Sequence, residues 1–113
     1  MQRLEHNQRC ELLGEFFRLF ASAVRVKIFC CLKDGPLTVS RIADGVGIAL
    51  PNASQHLRLM RHLGAVRCTK KRNLRYYRLS DKRLLRAAEL IAEVLEQRQT
   101  ELTRIGDRRA GCD

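Results

Sequence analysis

A row of polar side chains between residues 52 and 58 has the chemistry to read the edges of DNA bases. Asn and Gln can each form two hydrogen bonds with adenine, and Arg can form two with guanine. The row lies on the outer face predicted for one helix, whose inner face holds Ala53, Leu57 and Met60. The outer positions are Asn52, Ser54, Gln55, His56 and Arg58. An ordinary solvated polar face is the alternative interpretation.

Positive charge is concentrated just after this helix. The chain carries a formal net charge of +10, and residues 61–86 hold ten Lys and Arg against one acidic residue, Asp81. At the tip of a predicted β-hairpin, side chains that could follow phosphates or enter a minor groove are Lys70, Lys71, Arg72 and Arg75. This charge beside a helix-turn-helix pattern indicates DNA binding, with a solvated basic loop as the alternative. The few aromatic residues make single-strand binding the weaker interpretation.

Five helices and one hairpin are predicted to position these residues. Apolar periodicity and punctuation by Gly, Pro and Ser place helices over about residues 7–20, 22–32, 38–45, 50–63 and 81–104. Strands are expected over residues 65–69 and 74–79, separated by the loop 70–73. Ser22 and Ser80 are the predicted helix caps, and Gly47 supplies the turn between the third and fourth helices.

Length and composition favour one small domain. We expect residues 1–105 to form it and residues 106–113 to be a loose tail. The apolar fraction of 45% is typical of globular proteins, and no apolar run approaches the roughly 20 residues of a membrane span. The N-terminal segment lacks an apolar signal core, so the expected compartment is the cytoplasm, with no membrane partner. We find no arrangement of nucleophile, base and orienting residue, so enzymatic activity is not expected.

Three stretches of the chain resemble the ArsR/SmtB family of bacterial winged helix-turn-helix repressors. They are FFRLFASAVRVKIFCCL, then LTVSRIADGVGIALPNASQHLRLMRHLGAV, then YYRLSD. The Ser-x-His-Leu step at Ser54 to Leu57, followed by Gly64, is similar to the family's recognition helix. The resemblance covers about 80 residues and implies a mainly helical α-α-α-α-β-β-α fold. It also implies a homodimer on an inverted-repeat DNA operator, released by an inducer.

The last predicted helix carries an apolar stripe that favours a dimer. Its members recur at steps of four and three residues and are interrupted by Arg98: Leu84, Ala88, Ile91, Leu95, Leu102 and Ile105. The family pairs its first and last helices, which adds Leu13 and Phe17 to the expected interface and leaves Leu84, Ala88, Ile91 and Leu95 as its last-helix part. Packing of the whole stripe within one chain is the alternative.

The family's metal sites lack their usual ligands in this chain. Thr38 and Ser40 occupy the positions of a Cys-x-Cys pair, and we assign them to the DNA-contact set instead. The last-helix sites use His, and no His follows His62. Glu89, Glu93 and Glu96 without imidazole or thiolate ligands make a poor zinc site. We therefore expect neither a resident metal nor a cofactor.

The cysteines are the remaining candidates for sensing an effector. Cys30 resembles the second-helix cysteine of the family's redox- and sulfur-responsive members, but the position of its last-helix partner holds Glu96. Neighbouring Cys30 and Cys31 point about 100° apart on a helix and make a poor disulfide. Cys10 or Cys112 could supply a partner thiol. Alternatively, Cys30 and Cys31 are small apolar core residues.

The sequence therefore predicts a dimeric repressor that binds specific duplex DNA, with a thiol-reactive or soft-metal signal as one candidate for its release. The alternative from another class is an architectural or interaction protein that uses the same winged domain without an inducer. The effector remains unidentified at this level.

Overall fold

The computed structural model describes residues 3–106, which form five α-helices and a three-stranded antiparallel sheet. The helices are α1 (His6–Phe17), α2 (Ala23–Cys31), α3 (Val39–Val46), α4 (Leu50–His62) and α5 (Arg83–Gly106). The strands are β1 (Leu37–Thr38), β2 (Val66–Lys71) and β3 (Leu74–Leu79), and a 3₁₀ helix (Arg18–Ala21) joins α1 to α2. This order confirms the predicted mainly helical, winged helix-turn-helix fold. The predicted tail, apart from Gly106, lies outside the described residues, and Cys112 lies there with it.

Two elements differ from the prediction. The first helix does not continue to Phe20, because the chain tightens into the 3₁₀ helix after Phe17, as helix ends often do. Strand β1 was not predicted, since two residues are too short to show an alternating pattern. It joins the sheet by pairing Leu37 with Tyr77 and Thr38 with Tyr76, which gives the strand order β1-β3-β2.

Side-chain caps define where α2 and α5 begin. The Ser22 hydroxyl accepts the backbone N–H of Arg25 at 3.3 Å, which confirms this predicted cap. The prediction for Ser80 is wrong. Its hydroxyl lies 2.6 Å from the Gly64 carbonyl and donates back toward the end of α4. Asp81 takes the capping position, because its carboxylate accepts the Arg83 N–H at 2.9 Å.

The core lies between α2, α3, α4 and one face of the sheet. Its largest fully buried side chains are Leu19, Ile28, Phe29, Ile42, Leu57, Met60 and Val66. Phe20 stacks on Phe29 with ring centroids 5.0 Å apart, so the 3₁₀ helix is held against α2. Because these helices enclose one apolar core, α4 has a fixed face toward the interior and a free face outward. Over residues 3–106, no helix combines the length and hydropathy that a membrane-spanning segment would need.

Candidate nucleic-acid interface

Helices α3 and α4 form the helix-turn-helix, with the turn at Gly47. Thr38 caps α3, because its hydroxyl accepts the Arg41 N–H at 3.3 Å. Gly47 has φ of 81°, in the left-handed region that glycine adopts without strain, and its N–H bonds the Ala43 carbonyl at 2.8 Å. The predicted turn residue is thus confirmed.

The inner face of the two helices is apolar, as predicted. Ile42 and Ala43 of α3 are buried, and Val46 and Ile48 are half-buried. The buried side chains on α4 are Ala53, Leu57 and Met60. Since one face of α4 is fixed in the core, the residues on its opposite face must point to solvent.

The free face of α4 presents three side chains at helical spacing. Asn52, Gln55 and Arg58 are all exposed and lie three residues apart, so they share one side of the helix. Pro51 occupies the first turn, where its missing N–H costs no helical hydrogen bond. These three positions combine the donors and acceptors that adenine and guanine edges require.

The remaining predicted contact residues, in or just before α3 and α4, differ in their exposure to solvent. Ser40 is exposed near the start of α3, whereas Ser54 is half-buried. Thr38 is half-buried and already holds the α3 cap. His56 is also half-buried, and its Nδ1 lies 3.4 Å from Nη1 of Arg25 in α2. The structure therefore gathers Asn52, Gln55 and Arg58 on the free face, while Thr38 and His56 make contacts within the protein.

The hairpin turn is tighter than predicted. Lys70 and Lys71 belong to β2, and only Arg72 and Asn73 form the turn. Arg72 adopts φ of 60°, the left-handed conformation that two-residue hairpin turns commonly use. The four-residue loop predicted over 70–73 is wrong, because strand pairing continues through Lys71 and Leu74.

The hairpin cations occupy both faces of the sheet. Lys70 pairs in register with Arg75 on the side that also holds buried Tyr77. Lys71 lies on the opposite, outer side, because successive strand residues alternate between faces. The predicted hairpin cations therefore lie on two different faces of the sheet near its tip.

Two further cations on the outer side were missed. Arg67 and Arg78 face each other across β2 and β3, and both are exposed. Arg78 lines an open cleft of about 430 Å³ together with Pro36, Thr69, Lys71 and Tyr76. The sequence could have predicted this surface, because side chains alternate between the two faces along β2 and β3. That alternation places Arg67, Lys71 and Arg78 on one face. Like charges directly opposite one another are destabilising, so this face favours an anionic ligand.

Helices α1 and α5 expose most of their apolar residues. In α1 every residue is exposed except half-buried Phe16. Residues 90–103 of α5 are likewise all exposed. Among the predicted interface residues, Leu84 and Ala88 are half-buried, and the exposed fractions of Leu13, Phe17, Ile91 and Leu95 are 45%, 53%, 47% and 54%. An apolar surface of this extent marks an interaction site.

The described cysteines have free thiols and differ in exposure. Cys10 and Cys30 are exposed, while Cys31 and Cys68 are half-buried. The core interpretation is therefore wrong for Cys30. Burial raises the pKa of the Cys31 thiol, and neighbouring Cys30 raises it further. Within residues 3–106, no group of three or more His, Cys, Asp or Glu side chains is arranged to hold a metal ion.

Residues 20–69 match a protein family described as a helix-turn-helix domain. The chain is 36% identical over 78 residues to the HTH-type transcriptional regulator KmtR of Mycobacterium tuberculosis. That alignment covers 69% of this chain and 59% of KmtR, so the chain spans about three fifths of this relative's length. It is also 26% identical over 91 residues to a biofilm growth-associated repressor of Xylella fastidiosa, covering 80% of this chain and 77% of that protein.

A solved structure shares the fold over nearly the whole domain. It is the homodimeric winged helix-turn-helix DNA-binding domain of a possible ArsR-family transcriptional regulator from Mycobacterium bovis. The TM-score is 0.75 at 21% identity, with 89% of this chain and 95% of that chain covered. The fold, the matched helix-turn-helix and the regulator relatives agree with the resemblance seen in the sequence. The chain is therefore similar to the ArsR/SmtB-type winged helix-turn-helix regulators in both sequence and fold.

Proposed function

We propose that this protein is a dimeric transcriptional repressor that binds an inverted repeat in duplex DNA, with α4 in the major groove. The observation that carries the proposal is the exposed row of Asn52, Gln55 and Arg58 on the free face of α4. Residues near the start of a recognition helix commonly contact base edges. Each two-bond contact between such a side chain and its base contributes roughly 1–3 kcal/mol of discrimination against the wrong base.

The hairpin serves as the wing and contributes affinity through phosphates. The sequence from Gly64 to Ser80 holds six Lys and Arg and no Asp or Glu. Within residues 3–106, the observed ion pairs involve Arg18, Arg83 and Arg86, so the cations of β2 and β3 keep their charge free for DNA. If each subunit neutralises three to five phosphates, affinity should fall roughly 10³- to 10⁵-fold between 50 and 200 mM salt.

A homodimer would cover the exposed faces of α1 and α5. A groove between the two helices is lined by Leu4, Arg9, Leu12, Leu13, Phe16 and Leu84. It is mostly apolar and continuous with the exposed stripe on α5, which explains why α1 packs so little against its own chain. The Mycobacterium bovis domain with this fold is itself homodimeric. A two-fold dimer would present two copies of α4 to the two half-sites of an inverted repeat.

A thiol-reactive compound or soft metal is the proposed releasing signal, and Cys30 and Cys31 are the first candidates to receive it. Cys30 is exposed and accessible to such a reagent. Cys31 lies against α3, since a Cβ placed on Gly45 would be 3.0 Å from its Sγ. An adduct on Cys31 would therefore press on the helix that supports α4. Exposed Cys10, or Cys112, would be the partner thiol if a disulfide forms.

The test is fluorescence anisotropy of the reduced protein on the duplex upstream of its own gene and on a scrambled duplex of equal length. We expect tight binding to the first only, lost after mild oxidation or addition of As(III). Gln55→Ala should weaken the difference between the duplexes, whereas Lys82→Ala, a cation outside the wing, should preserve it. Equal binding to both duplexes would overturn the repressor proposal and favour an architectural DNA-binding protein. Selective binding that is unchanged by oxidant and As(III) would contradict the proposed thiol-reactive signal but not the proposed repressor function.

A further inference from the structure

The guanidinium of Arg25 joins three elements of the fold. Its Nη2 donates to the Arg18 carbonyl at 2.8 Å, and its Nε donates to the Leu19 carbonyl at 3.1 Å. Both carbonyls belong to the 3₁₀ helix that directly continues α1. Its Nη1 lies 3.4 Å from Nδ1 of His56 on α4. One half-buried side chain thus connects the end of α1 with the recognition helix.

The chemistry of the two side chains fixes their roles. A guanidinium has only donors, so Nδ1 of His56 must be the acceptor. His56 is then the neutral tautomer with its proton on Nε2. The Ser22 cap positions the backbone of Arg25 through its N–H, so the guanidinium extends from a fixed helix start.

We propose that Arg25 and His56 form a latch that sets the position of α4 against the end of α1. In this latch His56 is a positioning residue that serves DNA binding through Arg25 and does not itself contact DNA. The inference rests on the proposed function, because it assigns the latch a part in presenting α4 to the operator. It also replaces the prediction that His56 belongs to the DNA-contact set.

The position of the latch explains why it matters for a dimer. The proposed dimer holds α1 near the two-fold axis, and the spacing of two recognition helices depends on how α4 is held relative to α1. Packing of Leu57 and Met60 fixes the inner face of α4, and both are fully buried. The Arg25 contacts add a polar connection from α4 to the 3₁₀ helix, beside the apolar core that contains Leu19, Leu57 and Met60.

Two amide substitutions separate the latch from a direct DNA contact. In His56→Asn the side-chain oxygen can occupy the place of Nδ1, while in His56→Gln the amide can occupy the place of Nε2. We expect His56→Asn to bind the operator within about twofold of the wild type. His56→Gln should bind about tenfold more weakly, as for loss of one hydrogen bond to a charged group. The reverse order would overturn the latch and assign His56 to DNA through Nε2, and equal wild-type affinity of both variants would also overturn it.

Arg25→Lys provides a second test, because lysine keeps the charge but cannot make the three contacts together. We expect about tenfold weaker operator binding with an unchanged salt dependence. In Arg25→Gln, which removes the charge, a salt slope reduced by about one unit per subunit would instead identify Arg25 as a phosphate contact and overturn its role in the latch.

Nitrogen NMR of the His56 ring in the DNA-free protein tests the latch independently of operator binding. We expect an unprotonated, hydrogen-bonded Nδ1 in the wild type and a shift of that signal in Arg25→Lys. A protonated Nδ1, or a signal indifferent to Arg25→Lys, would overturn the latch even if the amide variants fail to fold. Absence of selective DNA binding by the wild type, with the expected ring signals, would reject the proposed function while keeping the Arg25–His56 contact.

Discussion

Single side chains determine where the elements around α4 begin and end. Thr38 caps α3 through its hydroxyl, and Ser80 ties the start of α5 to the carbonyls of Gly64 and Ala65. Asp81 accepts the backbone N–H of Arg83 and also binds its guanidinium at 2.7 Å. These short polar side chains satisfy backbone groups that a helix end leaves without partners.

Asp81 should give the protein a measurable acid dependence. The hydrogen bonds from the Arg83 side chain and backbone lower the pKa of the Asp81 carboxyl to about 2. A carboxyl whose pKa is lower in the folded state stabilises the fold above its unfolded value near 4. That contribution is lost as pH falls through about 2. In urea titrations at each pH, Asp81→Asn should therefore lose less unfolding free energy between about pH 4 and pH 2 than the wild type.

Arg83→Ala is the matched control for this acid dependence. It removes the side-chain hydrogen bonds but keeps the backbone N–H, so it should remove part of the same slope. Parallel curves for the wild type and Asp81→Asn would show that this carboxylate does not govern the acid response.

At the scale of elements, helices α2 and α3 approach each other closely at Gly45. A Cβ on Gly45 would lie 3.0 Å from the Cys31 sulfur, which is tighter than ordinary van der Waals contact. Glycine within a helix costs about 1 kcal/mol relative to alanine. The glycine therefore permits this packing at the expense of helix stability.

A double-mutant cycle can separate these two effects. In a Cys31→Ala background, Gly45→Ala should raise the free energy of unfolding by roughly 1 kcal/mol, the gain in helix propensity. In the wild-type background the gain should be smaller or reversed, because the new methyl group meets the Cys31 sulfur. Urea unfolding of the four proteins measures the coupling. Equal gains in both backgrounds would show that Cys31 does not restrict α3.

Reversing one charge on the outer side of the sheet should have opposite effects on folding stability and on DNA binding. Arg67→Glu replaces a like-charge pair with an ion pair to Arg78, which should raise the unfolding free energy by roughly 0.2–1 kcal/mol. The same change should weaken DNA binding and flatten its salt dependence, because it removes positive charge. Arg67→Gln should fall between the two proteins in both measurements. Lower stability of Arg67→Glu would contradict the observed pairing of these side chains.

Patterns within one element could be predicted from the sequence, whereas contacts between elements could not. Ala53, Leu57 and Met60 recur at helical spacing, which predicted the buried face of α4 and therefore its free face. Arg25 and His56 are 31 residues apart, and neither has a local pattern that indicates the contact. Ser80 and Asp81 are both good capping residues, so only the structure could distinguish them. The two-residue strand β1 is too short to carry a period.

At the scale of the whole molecule, the apolar surface of α1 and α5 is the feature that one chain leaves unpartnered. The other helices and the sheet share a closed core, while residues 90–103 extend beyond it with every side chain exposed. Apolar side chains on a helix that protrudes from its own core are stabilised when a second copy covers them. Since the operator proposed here has two half-sites, the same association would also set its geometry.

Leu95→Glu tests this association, with Leu74→Glu as a control for mass. The two leucines have nearly equal exposed fractions, 54% and 53%, but Leu74 lies at the wing tip. Sedimentation equilibrium at micromolar concentration should give twice the 13.0 kDa chain mass for the wild type and Leu74→Glu. Leu95→Glu should sediment near 13.0 kDa with its helical circular dichroism largely retained, because a buried unpaired carboxylate disfavours the interface but not the monomer. Its operator affinity should fall about 100-fold or more, since two separate half-sites lose their effective concentration. A wild-type monomer, or a Leu95→Glu dimer, would show that α5 is covered in some other way.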